Sequence, residues 1–85
     1  MASSKQWRHL VQRFLKTELS KKGVKYQDLS DKLAQIGVDQ SADNLRNKIN
    51  KGILGADLLL QIVLVLNIKQ IRHEDLTELL DDIQD

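Results

Sequence analysis

Apolar residues recur at intervals of three and four along most of this 85-residue chain, which is the spacing of one face of an α-helix. The first such stripe runs from Trp7 to Leu19 and stops before Gly23. One stretch, residues 58–68, is instead apolar at nine of eleven positions and could be a buried strand. Because no second strand-like segment exists to pair with it, we interpret it as a helix. The sequence therefore predicts an all-α fold.

Helix start and stop signals divide the chain into five helices. Ser41 is a favourable N-cap, and Gly23, Gly37 and Gly52 follow the ends of three apolar stripes. The predicted helices comprise residues 5–22, 25–36, 41–51, 56–67 and 73–83, within a single domain of residues 1–85.

Several classes of protein are excluded by what the sequence lacks. It contains no cysteine for disulfides or thiolate metal sites, and no phosphate-binding glycine loop. His9 and His73 are far apart in the sequence, without the spacing of metal ligands. No apolar run approaches the roughly 20 residues that span a bilayer, and the first residues lack the apolar core of a secretory signal. We therefore expect a soluble cytoplasmic protein that is not an enzyme, uses no metal or cofactor and does not bind membranes.

Charge is divided unevenly along the chain, although the formal net charge is only +1. Residues 1–52 carry eleven cations and five acids, a net charge of +6. Residues 53–85 carry two cations and seven acids, a net charge of −5. This asymmetry favours a polyanion as the partner of the first part. The alternative is that these charges only coat solvated helix faces.

The third predicted helix is unusually polar. Within SADNLRNKIN, residues 41–50, only Ala42, Leu45 and Ile49 have the spacing of a buried stripe. Asparagine is a poor helix former, so three asparagines interleaved with cations do not serve local stability. The pattern indicates that this face has a binding role.

The order of these segments resembles the phage-repressor-like helix-turn-helix domains over roughly residues 10–68. The short helix VKYQDLSDKLAQIG is followed by the polar helix SADNLRNKINKG and the buried helix LLLQIVLVLNI. In that family the third helix enters the major groove of DNA and the fourth closes the core. The resemblance therefore implies a five-helix helix-turn-helix domain that binds double-stranded DNA.

The chain is also similar to a small bacterial domain family of unknown function. That pattern includes Gly23-Val24, Tyr26, Gly37-Val38, Asn47-Lys48-Ile49 and Gly52. This second resemblance implies no activity.

The polar residues of the third helix suit the recognition of base edges, because asparagine can pair with adenine and lysine or arginine with guanine. Asn44, Asn47 and Lys48 lie at i, i+3 and i+4, so we predict that they form one outward patch that contacts bases. Predicted phosphate contacts are Ser41, Arg46, Asn50, Lys51, Lys25 and Gln27. The alternative is that the asparagines are surface residues that only cap the chain locally.

The fourth predicted helix is aliphatic on more than one side, because Leu60 and Leu64 lie opposite Ile62 and Leu66. Either a second subunit covers Leu60 and Leu64, or the last helix does. The residues of the last helix that could do so are Leu76, Leu79, Leu80 and Ile83. A two-fold dimer would present two recognition helices to half-sites about one turn of duplex apart. We therefore predict a homodimer interface at Leu60 and Leu64.

Together these patterns predict a double-stranded DNA-binding protein that acts as a transcriptional regulator, of bacterial or phage origin. The main alternative is a protein-interaction module that keeps the scaffold and uses the fourth helix and acidic tail to bind a protein partner. A third hypothesis, an antitoxin, combines the two, and fold alone does not choose among them.

Overall fold

The structure is a computed structural model that describes residues 3–84. Its helices are α1 (Ser4–Lys22), α2 (Tyr26–Gln35), α3 (Ala42–Lys51), α4 (Ala56–Val65) and α5 (His73–Gln84). These five helices are the only regular secondary structure in the described range, so the predicted all-α, five-helix architecture is confirmed. None of the helices in residues 3–84 combines the length and apolarity needed to cross a bilayer.

The core is formed by aliphatic side chains from the first four helices. Those that are fully buried are Leu15, Leu29, Leu33, Leu45, Ile49 and Ile62. α3 packs against both α1 and α2, and α4 packs against α2. Because α3 contributes Leu45 and Ile49 to this core, its rotation about its own axis is fixed, and its remaining side chains are directed outward.

The end of α3 lies very close to the backbone of α1. Gly52, the residue that follows α3, has a φ of 64°, in the left-handed region that favours glycine. A Cβ atom added at Gly52 would overlap the backbone carbonyl of Arg8. Glycine is therefore required here both by the backbone conformation and by the lack of space for a Cβ. Because glycine has no side chain, α1 and α3 can approach this closely.

The fourth helix ends at Val65, two residues earlier than predicted. Asn67 adopts a φ of 59°, and the amide of Ile68 donates to the carbonyl of Val63 at 3.0 Å. This left-handed turn satisfies carbonyls at the end of α4 and directs the chain away from the helix axis. Asparagine is among the few non-glycine residues that adopt this conformation readily.

The last helix packs on α1 and on no other helix of the described residues. Asp82 of α5 lies 3.8 Å from the guanidinium of Arg13, a solvent-exposed pair that stabilises the contact only weakly. The possibility that α5 covers the outer leucines of α4 is therefore wrong. Leu60 and Leu64 are each 68% exposed, because α5 uses its apolar face on α1 instead.

Arg72 and Asp75 together form the start of α5. The backbone amide of Arg72 donates to Oδ2 of Asp75 at 3.0 Å, and its guanidinium donates to Oδ1 at 3.0 Å. The bond from the Arg72 side chain, and then that from its backbone, hold the pKa of the Asp75 carboxyl below its ordinary value of 3.8. The same carboxylate raises the pKa of the Arg72 guanidinium.

This arrangement predicts a loss of stability in acid that depends on Asp75. A carboxyl with a lowered folded-state pKa stabilises the fold fully above its unfolded pKa, and that contribution is lost as pH falls through the lower, folded pKa. The loss should therefore occur below pH 3.8. We expect Asp75→Asn to lower the midpoint of urea unfolding at pH 6, as measured by circular dichroism. Between pH 6 and pH 3 this midpoint should then decrease less in the variant than in wild type. Asp81→Asn is the control, because Asp81 forms no ion pair within residues 3–84. An equal acid-induced drop in wild type and Asp75→Asn would contradict this role.

Candidate functional site

The solvent-facing side of α3 carries amide and lysine side chains. Asn44, Asn47 and Lys51 are exposed and Lys48 is half-buried, whereas Leu45 and Ile49 on the opposite side are fully buried. We call Asn44, Asn47, Lys48 and Lys51 the α3 face. No helix covers this side of α3 in residues 3–84, so its donors and acceptors are open to a ligand.

Lys48 is held at the edge of the α3 face by the turn that precedes the helix. Its ammonium donates to Oε1 of Gln40 over 3.4 Å, a long hydrogen bond. The same turn is fixed to α2 because the hydroxyl of Ser30 donates to the Gln40 carbonyl at 2.6 Å. A lysine ammonium has three donors, so Lys48 keeps two for a ligand. Asn44 and Asn47 have no side-chain hydrogen bond within the described residues and are the freer members of the face.

Ser41 is the N-cap of α3, as its sequence position predicts. Its Oγ accepts a hydrogen bond from the backbone amide of Asn44 at 3.1 Å. The hydroxyl proton remains available to donate to an anion. Asp43 places a carboxylate in the first turn of α3. Its negative charge interacts favourably with the positive end of the helix dipole, but it repels an anionic ligand at the same position.

Arg46 connects α3 to the start of α2. Its guanidinium pairs with Asp43 at 2.6 Å and lies 5.2 Å from the ring centroid of Tyr26. Partial burial raises the pKa of the Tyr26 hydroxyl, and the positive charge of Arg46 offsets this only in part. The phenol is therefore neutral at physiological pH and can donate a hydrogen bond. Of the predicted phosphate contacts, Arg46 is the one most engaged by its own neighbours.

An open groove of about 840 Å³ separates the start of α2 from α3 and α1. It brings together four of the predicted phosphate contacts, which are Lys25, Gln27, Arg46 and Asn50. Lys16 of α1 also lines it, and sequence reasoning did not single this residue out. The amide of Gln27 already donates to Oδ1 of Asp31 at 3.0 Å, so Gln27 is partly occupied by its own helix.

Two further cations of α1, Lys5 and Arg8, lie beside the other end of α3 and were also missed. They line a second groove together with Asn50 and Lys51. A signal for them exists in the sequence, because Lys5, Arg8, Gln12 and Lys16 follow helical spacing on one polar stripe of α1. That stripe does not reveal which helix it will lie beside, so its link to α3 requires the fold.

Leu60 and Leu64 lie on α4 and are not part of the α3 face. α4 packs against α2 and keeps these two side chains in solvent. The structure therefore separates the predicted base-contacting residues from the predicted dimer contacts, and each surface is accessible independently of the other.

The described residues contain no group of three or more His, Cys, Asp or Glu side chains arranged to hold a metal ion. His9 lies on α1 and His73 at the start of α5, so neither joins the α3 face.

These features define a small five-helix domain with a polar, cation-bearing third helix. The chain belongs to a family described as Domain of unknown function (DUF6471), whose model matches residues 7–71. The expected similarity to a small domain family of unknown function is thereby confirmed. Neither the curated proteins nor the solved structures provide a match to this chain. The matched range contains α2, α3 and α4 and ends before α5 begins.

Proposed function

We propose that this protein binds double-stranded DNA as a helix-turn-helix domain, with α3 in the major groove, and regulates transcription. The observation that carries the proposal is the orientation of α3. Leu45 and Ile49 hold one side of the helix in the core, and the amides and lysines of the α3 face lie in solvent on the other. An α-helix fits the major groove, and such side chains match the base edges displayed there.

The position of α2 supports a helix-turn-helix pairing with α3. The two helices pack against each other, and the hydrogen bond between Ser30 and Gln40 fixes the turn between them. The start of α2 lies beside α3, because Arg46 contacts the ring of Tyr26. Lys25, which lines the same groove as Arg46, is in this proposal a phosphate contact beside α3. The six residues between α2 and α3 make this turn longer than the roughly three or four residues usual in a helix-turn-helix.

The individual side chains have different roles in this proposal. Asn44 and Asn47 pair with adenines, and Lys48 donates to a guanine at the edge of the face. Lys51, Lys25 and the remaining donors contact phosphates, which set the register of the protein on the duplex but do not read its sequence. Each good base pairing contributes about 1–3 kcal/mol of discrimination.

A protein-interaction module is the second candidate, and a specific observation favours it. Leu60 and Leu64 are exposed one turn apart on α4, so they form one contiguous apolar surface, the kind of feature that can mark an interaction site. In a DNA-binding regulator the same pair serves as the homodimer interface. In an interaction module or an antitoxin it binds a different protein, and an interaction module would not shift any duplex in a gel.

Replacing Asn47 with alanine tests the base-contacting role. We expect wild-type protein to select a preferred sequence from a random duplex library. The variant should lose about tenfold of that preference at one or two positions, because a bidentate contact contributes about 1–3 kcal/mol. Overall affinity for random duplex should change little, since phosphate contacts supply most of it.

Gln35→Ala is the matched control, because it removes an exposed amide from α2 at the end distant from Lys25. It should select the same sequences as wild type. Unchanged selectivity in Asn47→Ala would remove Asn47 from the base contacts. Failure of the wild-type protein to bind any duplex would refute DNA binding and favour the interaction module.

A further inference from the structure

A second groove lies between the first half of α1 and the end of α3, with a volume of about 730 Å³. Its polar lining consists of Lys5, Arg8, His9, Gln12, Asn50 and Lys51, and we call it the α1–α3 groove. Three of these residues are permanently charged cations, and no carboxylate lines the groove within the described residues. Ile53 and Ile83 complete the lining with apolar surface, so the groove combines an apolar wall with a positive charge that suits an anion.

Within the described residues, the three permanently charged cations of the α1–α3 groove have no acidic partner. None of Lys5, Arg8 and Lys51 forms an ion pair with any residue in the range 3–84. Arg46 in the neighbouring groove differs, because it is paired with Asp43 at 2.6 Å. Unpaired cations that face one another repel, and an anion bound between them relieves that repulsion. The groove beside α2 also contains two cations without an ion pair in residues 3–84, Lys16 and Lys25, but the carboxylate of Asp43 lines it, whereas no carboxylate of the described residues lines the α1–α3 groove.

The fold itself brings these cations together. α1 can approach the end of α3 only because Gly52 has no side chain at the point where it meets the Arg8 backbone. Lys51 directly precedes Gly52, so the close approach brings Lys51 and Arg8 into the lining of the same groove. Ile49 and Leu15 are fully buried and hold the two helices in this relation.

The α1 side of the groove is long enough to contact more than one phosphate. Lys5, Arg8 and Gln12 lie at i, i+3 and i+7 and extend over about 10 Å of helix axis, at about 1.5 Å per residue. Successive phosphates of one DNA strand are displaced around the duplex as well as by about 3.4 Å along its axis, so this length reaches about two of them. The groove also adjoins the α3 face, because Lys51 belongs to both.

We propose that the α1–α3 groove holds the phosphate backbone of duplex DNA next to the bases that α3 reads, with Lys5 and Arg8 as its principal contacts. This inference rests on the proposed DNA binding and adds to it a phosphate contact on α1, outside the α2–α3 pair. Gln12 and Asn50 donate amide hydrogens to the same phosphates, and Lys51 joins the backbone contact to the base contact.

The test is the salt dependence of DNA binding in the double variant Lys5→Gln/Arg8→Gln. Both side chains are exposed, so the fold should be retained, as circular dichroism will show. Binding to a labelled duplex selected by the wild-type protein is measured by fluorescence anisotropy between 50 and 300 mM NaCl. Removal of one cation from a phosphate reduces the slope of log K against log salt by about 0.9, so the slope should fall by about 1.8 in the double variant. The preferred sequence should stay the same.

Lys22→Gln/Lys32→Gln is the matched control, because it removes the same charge from exposed positions outside the α1–α3 groove. Its slope should remain that of wild type. A wild-type slope in Lys5→Gln/Arg8→Gln, or an equal decrease in both double variants, would refute the groove while leaving DNA binding by α3 intact. Absence of duplex binding by the wild-type protein would refute both proposals. Equal or tighter binding to an RNA duplex of the same sequence would overturn the assignment to DNA.

Discussion

Replacing glycine with alanine in the variant Gly52→Ala should lower the free energy of unfolding by about 2–5 kcal/mol. A non-glycine residue in the left-handed region costs about 1–2 kcal/mol, and Gly52 has a φ of 64°. The added Cβ would also overlap the Arg8 carbonyl, and forcing a methyl group into a close-packed contact typically costs about 1–3 kcal/mol more. A chain of this length has a total stability of about 4–13 kcal/mol. The variant should therefore be partly or fully unfolded at temperatures at which wild type is folded, as urea and thermal unfolding followed by circular dichroism will show.

Gly23 provides a matched control within the same protein. Its φ is 65°, nearly the same as that of Gly52, but beyond its two chain neighbours no atom of the described residues lies within 4 Å of the position that a Cβ would occupy. Gly23→Ala should therefore cost only the conformational part, about 1–2 kcal/mol. The difference between the two variants measures the close approach of α1 to α3. Equal destabilisation would show that α3 ends farther from α1 than the structure places it.

Helix content was predictable because it depends on local patterns. Spacings of three and four among apolar residues identified each helix, and Leu45 and Ile49 are buried as their four-residue separation predicts. Ser41 caps α3 because its hydroxyl oxygen can accept a hydrogen bond from a backbone amide in the first turn of the helix. The pairing of Asp43 with Arg46 follows from their spacing at i and i+3, although sequence reasoning assigned Arg46 to phosphate instead.

The choice of packing partners was not predictable from these patterns. An apolar stripe shows which side of a helix is buried and does not identify the helix that buries it. The stripe of α5 could have covered Leu60 and Leu64, yet it lies on α1. Lys5 and Arg8 were missed for the same reason, because they become part of a candidate binding groove only when α1 lies beside the end of α3. The apolar stripe of α5 and the polar stripe of α1 are both visible in the sequence, but only the fold shows which helix lies beside each of them.

The exposed leucines of α4 lead to the second large expected effect. We propose that Leu60 and Leu64 bring two copies of the chain together, so that two α3 helices bind adjacent half-sites of one duplex. Linking two binding events in this way raises affinity by about 10²–10⁴-fold over a single one. The double variant Leu60→Gln/Leu64→Gln should be monomeric by sedimentation at micromolar concentration. Its affinity for a two-half-site duplex should fall at least about 100-fold, whereas its affinity for a single half-site should be unchanged.

The variant is expected to fold normally, because both leucines are 68% exposed and glutamine is a good helix former without added charge. Ile36→Gln is the control, since it removes an aliphatic side chain that is 45% exposed and follows α2, so it is not part of α4. It should leave both the oligomeric state and the affinity as in wild type. A monomeric wild-type protein that still binds two half-sites tightly would rule out this interface. If Leu60→Gln/Leu64→Gln is still a dimer, the interface lies on another surface. If the variant is monomeric but binds the two-half-site duplex as tightly as wild type, dimerisation does not contribute to DNA binding.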